Sequence, residues 1–132
     1  MNKYTPDLEV MEVIRTIEDI WERVKKIPIR GGIIVILCQD WKHVDYLFKE
    51  TMRLVEVCPV LGTIEKIKRN HIYFNWGVLV IFITPMWERV AGLEVIGYSN
   101  VCYEYTRDVE RVSQELDWRS GRHFDWIRDT EE

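Results

Sequence analysis

The sequence predicts a single α/β domain built on a mixed sheet, and three observations predict it. Ile33–Cys38 is an unbroken apolar run rich in β-branched residues, the pattern of a strand buried on both faces. The stretches before and after it repeat apolar residues at spacings of three and four, the period of amphipathic helices. Asn75-Trp76-Gly77 then separates two further apolar runs, which reads as a β-hairpin. Helices around a buried strand imply a layered domain with a helix on each face of the sheet. The 132 residues, 47% hydrophobic and 30% charged, suffice for one real core. Residues 1–116 are read as the domain and 117–132 as a polar, aromatic-bearing tail.

Thr5-Pro6-Asp7 is a good helix start: a Thr cap, a Pro in the first turn, then an acid at the positive helix end. Val10, Val13, Ile14, Ile17, Ile20, Trp21 and Val24 form the inward stripe, with Glu12, Arg15, Glu18, Asp19, Glu22 and Arg23 opposite. Pro28 and Gly31-Gly32 end this helix. After the Ile33–Cys38 strand, Asp40 caps a helix whose apolar positions are Val44, Leu47, Phe48, Thr51, Leu54 and Val55. Cys58-Pro59 and Gly62 close it. Ile64–Lys68 alternates apolar and charged residues, as a half-exposed edge strand does. Ile72–Phe74 and Val78–Ile83 are the hairpin arms, with Gly77 supplying the positive φ of the turn. Thr84–Gly92 is read as a loop and Val101–Glu104 as the next strand. Thr106 then caps a last helix, Arg107 to Leu116, with Val109, Val112 and Leu116 inward.

A net charge of −4 with interspersed signs gives no global basic field for nucleic acid, and is too mild to mimic it. The three cysteines sit in or beside apolar runs, without C-x-x-C or an even-numbered framework, so reduced thiols and a cytoplasmic location are expected. No signal-peptide pattern and no run long enough to span a bilayer is present, so no membrane association is expected.

From Met11 to about Asp108 the order of elements resembles the middle of a RecA-like motor core, as in the ATPase domain of phage large terminases and related superfamily-two helicases. The residues that carry the likeness are Gly32–Phe48, Ile72–Val78, the Arg89-Val90-Ala91-Gly92 loop, and Tyr103-Glu104 in the Walker B place. The resemblance implies a partial P-loop-NTPase-like topology, with Glu104 in the position of the hydrolytic general base. The sequence departs from the family where nucleotide is held. It contains no Gly-x-x-x-x-Gly-Lys-[Ser/Thr], so no loop cradles the phosphates. The likeness begins at the helix that follows the phosphate loop, so no first motor strand is expected within it. Tyr103 stands where an aspartate would hold magnesium, and a phenol is a poor magnesium ligand. A stripped fold retained for binding is what the likeness implies.

Cys38, His43, Cys58, His71, Cys102 and His123 match no zinc spacing, and no metal or other cofactor is expected. Cys38 with His43 lacks any nucleophile signature, and Ser99, Ser113 and Ser120 lack a Gly-x-Ser-x-Gly elbow. Glu104 is therefore the one catalytic candidate, as general base of a nucleotide hydrolase in the third and least favoured reading, and a non-enzymatic role is expected. Trp76, Trp87, Arg89, Trp118, Arg122 and Trp126 are aromatics and arginines outside any core stripe, the composition of protein interfaces. The leading expectation is a binding protein, encoded by a phage or mobile element, that occupies a protein partner as inhibitor or adaptor. A homodimer is a variant of it. The alternative is a nucleic-acid-binding accessory factor using Lys66, Lys68, Arg69, His71 and Tyr73, where cations and aromatics share one hairpin.

Overall fold

A computed structural model describes residues 8–24, 32–57 and 64–131, with side chains described as far as residue 120. The proposed helix start at Thr5-Pro6-Asp7 and the breaks at Pro28, Gly31, Cys58-Pro59 and Gly62 lie outside the described residues.

Helix α1 is Leu8–Val24 and strand β1 is Ile33–Leu37. Helix α2, Trp41–Val57, leads to the strands β2 (Ile64–Lys68), β3 (His71–Phe74) and β4 (Leu79–Ile83). A one-turn helix α3 (Trp87–Val90), strand β5 (Val95–Asn100) and helix α4 (Arg107–Glu131) complete the order. The sheet runs β2-β3-β4-β1-β5. β1 is parallel to both neighbours, β4 and β5, while β2, β3 and β4 form an antiparallel meander. The chain is thus a mixed α/β domain with helices on both faces of its sheet.

The alternation of β1 divides the core. Ile34 and Ile36 face α1 and α2, joining Val13, Ile17, Leu47, Phe82 and Ile96. Val35 and Leu37 face the other way, joining Ile81 and Ile83, with Val90 of α3 and Val109, Val112 and Leu116 of α4. Val10, Val13, Ile14, Ile17, Ile20 and Val24 are all buried. Burial of each such side chain is worth about 1.5–3 kcal/mol, so α1 is integral to the core. The hairpin turns as expected, with φ 82° at Gly77. Asp40 Oδ1 accepts the His43 N–H at 2.9 Å and Thr106 Oγ1 accepts the Val109 N–H at 3.2 Å, so both caps form.

Four expectations need correction. The last strand is Val95–Asn100 instead of Val101–Glu104. Asn100 ends it: its Oδ1 accepts the Cys102 N–H at 3.1 Å and its Nδ2 donates to Ser113 Oγ at 3.0 Å. Tyr103 and Glu104 lie in the bend that follows. Thr84–Gly92 is not all loop, because Trp87–Val90 forms one helical turn that buries Val90. The final helix passes Leu116 and continues to Glu131, since no proline interrupts the polar stretch. Strict alternation in β2 fails at an irregularity between Ile64 and Lys66, where Ile64 pairs with Phe74 but Lys66 pairs with Tyr73. The extra residue puts Ile64 and Ile67 on the same face and Lys66 and Lys68 on the opposite one.

Candidate functional site

In open α/β sheets ligands bind beyond the carboxyl ends of the strands, where successive connections leave on opposite faces. β1 and β5 are such a pair here. β1 leads to α2 on one face and β5 leads to α4 on the other.

The two strand exits are stitched together. Val101 N–H donates to Leu37 O at 3.1 Å. Further out, Glu104 N–H donates to Gln39 Oε1 at 2.9 Å and the Tyr103 hydroxyl donates to Asp40 Oδ2 at 3.2 Å. Beneath them lies His43, 8% exposed at the start of α2. The Gln39 N–H donates to its Nδ1 at 2.9 Å, which makes Nδ1 the acceptor and leaves the ring proton on Nε2. That proton is donated to Glu9 Oε2 of α1 at 2.6 Å. The Tyr103 ring meets the imidazole edge-on, with centroids 5.4 Å apart.

This arrangement is poorly suited to nucleophilic or general-base chemistry by His43 or the cysteines. Both ring nitrogens of His43 are engaged. Burial pushes the Cys38 thiol well above its ordinary range, and its Sγ lies 3.6 Å from Ile36 O. Burial likewise raises Cys102 to about 11, with Sγ 3.5 Å from Leu37 O. A protonated, buried thiol is a weak nucleophile. Among the described residues no group of three or more His, Cys, Asp or Glu is placed to hold a metal ion.

Around this stitched centre the surface is aromatic and cationic. The Arg89 guanidinium lies over the Trp41 ring, 4.8 Å from its centroid, and its Nε is 3.3 Å from Met86 Sδ. The Arg111 guanidinium lies over Trp87 at 5.5 Å. Trp41 is 45% exposed, Trp87 38%, Met86 46% and Tyr103 62%, so these apolar surfaces face solvent in the described chain. They follow the carboxyl ends of three strands: Trp41 after β1, Met86 to Arg89 after β4, and Tyr103 after β5.

The structure brings together only part of the expected partner surface. Trp87 and Arg89 belong to the cluster just described. Trp76 lies at the opposite end of the sheet, half-buried against Trp21 (4.9 Å between centroids) and Phe74 (5.5 Å). Trp118 also lies away from the cluster, in the part of α4 where Arg119 donates to Leu93 O at 3.2 Å, ahead of β5. Arg122, His123 and Trp126 lie where side chains are not described. Trp41 and Arg111 were missed. A signal existed, since both fall outside the apolar stripes of their helices, but only the fold brings them beside Arg89 and Trp87.

Of the alternative set, Lys66, Lys68, His71 and Tyr73 share one face, and Arg69 lies in the turn between β2 and β3. Lys66 pairs with Tyr73 and Lys68 with His71 across the two strands. Lys66 Nζ lies 5.9 Å from the Tyr73 ring centroid. Burial, with Lys68 beside it, holds the His71 imidazole below its ordinary pKa. Glu104, the catalytic candidate, is exposed outside the sheet.

No family model matches this chain, and neither a curated protein nor a solved structure matches it. Among the described residues no helix is long and apolar enough to cross a membrane.

Proposed function

We propose that this chain is a non-catalytic binding protein that occupies the surface of a protein partner through the carboxyl end of its sheet. The observation that carries the reading is the pair of Arg–Trp stacks, Arg89 on Trp41 and Arg111 on Trp87, assembled from α2, α3 and α4. Trp, Tyr and Arg are the residue types that dominate binding energy at protein interfaces. Stacking holds the arginines in place in advance, which lowers the side-chain entropy lost on association. Met86 and Tyr103 extend the same surface.

A binding role without catalysis is supported by the bridged crevice between β1 and β5. Glu104 has an architectural part there, its N–H anchoring the β5 exit to Gln39. We further propose descent from a terminase-like motor core, and with it a phage or mobile-element origin. Tyr103 fits such a history. Its hydroxyl donates to Asp40 Oδ2, a bond that the shorter side chain of an aspartate in its place would not reach. A cytoplasmic setting belongs to the same proposal.

The test is capture from a host lysate by the full chain, Trp41→Ala/Trp87→Ala, and Lys66→Glu as a control on the opposite side. The reading expects a specific prey with wild type and Lys66→Glu that is lost with the double variant. Equal recovery by all three refutes it. Light scattering across protein concentrations identifies a second copy as the partner if the double variant alone stays monomeric.

A further inference from the structure

The face of β2 and β3 that carries Lys66, Lys68, His71 and Tyr73 continues into a cavity of about 370 Å³ beside the start of β1. Ile33 and Leu79 give it apolar lining, Tyr73 an aromatic wall, Lys66 a cation and Glu65 a carboxylate. The cleft is half open to solvent, and its volume is enough to seat a single ring system. We propose that this face binds single-stranded nucleic acid, with one base in the cavity against Tyr73 and the backbone following Lys66, Lys68 and Arg69.

Three features carry the assignment independently of the partner surface. First, Lys66 and Lys68 are alternate residues of β2 and share a face, and the irregularity before Lys66 turns Ile64 away from that face to join Ile67 on the other. Alternate residues of a strand are about 7 Å apart, close to the separation of consecutive phosphates in an extended single strand. Second, Tyr73 stands between Lys66 and His71 on the same face, so a stacking ring is flanked by donors for phosphate. Aromatics on a sheet face, flanked by cations, are a general solution for holding unpaired bases. Third, Glu65 at the cavity disfavours a phosphate there while accepting hydrogen bonds from a base amino group. The base is therefore placed inside and the charged backbone outside. Edge protection explains lysines on β2, because charged side chains discourage strand addition. It gives no reason for an apolar cavity with a tyrosine wall next to them.

The experiment is fluorescence anisotropy of the full chain with a labelled mixed-sequence 12-mer single strand, an abasic strand of equal length, and a salt titration. Wild type is expected to bind at low salt with a Kd of about 1–100 µM, and contact with two or three phosphates gives a slope of log K on log salt of about −1.4 to −2.1. Tyr73→Leu and the abasic strand should each weaken binding about tenfold through lost stacking. Lys66→Glu/Lys68→Glu should weaken it at least as much, with both variants checked for unchanged melting. Trp41→Ala/Trp87→Ala should leave it intact, which separates this site from the partner surface. No anisotropy change at 20 mM salt would overturn the proposal. Equal affinity for the abasic strand, or for Tyr73→Leu, overturns it too, because it reduces the face to an unspecific cation patch.

Discussion

Asp40 serves two elements at once: its Oδ1 accepts the His43 N–H at 2.9 Å and its Oδ2 accepts the Tyr103 hydroxyl at 3.2 Å. One carboxylate thus caps α2 and ties down the chain leaving β5. Residues 40 and 103 are far apart in sequence and meet because β1 and β5 are parallel neighbours. The contact also orients Tyr103, whose ring covers His43 and whose outer surface faces solvent.

The first prediction concerns pH. Hydrogen bonding from the His43 N–H, and then from Tyr103, holds the Asp40 carboxyl below its ordinary range. A carboxylate whose folded pKa is depressed stabilises the fold above the unfolded value. That contribution fades as pH falls through the folded value. Asp40→Asn keeps a capping oxygen but removes the charge. Thermal melts should place wild type slightly above Asp40→Asn at pH 6, with the gap closing toward pH 2. The effect is small because the group is exposed and screened. A gap that widens on acidification contradicts this account.

The second prediction tests why β5 exists at all. A Cβ added at Gly97 would lie 1.8 Å from Ile20 Cδ1, and Ile20 is 5% exposed in the core. Gly97→Ala should therefore cost about 1–3 kcal/mol through overpacking. Ile20→Val removes the clashing methyl, so Gly97→Ala/Ile20→Val should recover part of the loss. Urea unfolding of the four members of the cycle measures the coupling. Additive effects would mean that α1 does not press on β5 at this point.

Gly97 also explains what was legible in the sequence. The strand Ile33–Leu37, the apolar stripes of α1 and α2, the hairpin at Gly77 and the caps at Asp40 and Thr106 all follow from local rules. β5 does not. Gly97, Ser99 and Asn100 are weak strand formers, and they are extended because β1 pairs with them and Ile20 fills the space above Gly97. Val101-Cys102-Tyr103 has better strand composition, but Asn100 has already turned the chain. The candidate surfaces divide in the same way. The Lys66–Tyr73 face was readable because a hairpin imposes its register nearby. The stacks of Arg89 on Trp41 and Arg111 on Trp87 join residues that no local pattern connects.

The last prediction separates a structural histidine from a catalytic one. Gln39 N–H and Glu9 Oε2 together engage both nitrogens of His43. Removing the Glu9 acceptor leaves a buried Nε2–H without its partner, at a cost of about 1–3 kcal/mol. Glu9→Ala should therefore lower the urea midpoint, while Glu9→Gln, which still offers an amide oxygen, should stay close to wild type. Neither variant should alter protein capture, because Glu9 bonds His43 and takes no part in either Arg–Trp stack. If Glu9→Ala keeps full stability, the 2.6 Å contact is not what docks α1 onto α2. If stability falls and capture persists, the dyad is a clamp between helices, and function is to be sought at Trp41, Trp87 and Arg89.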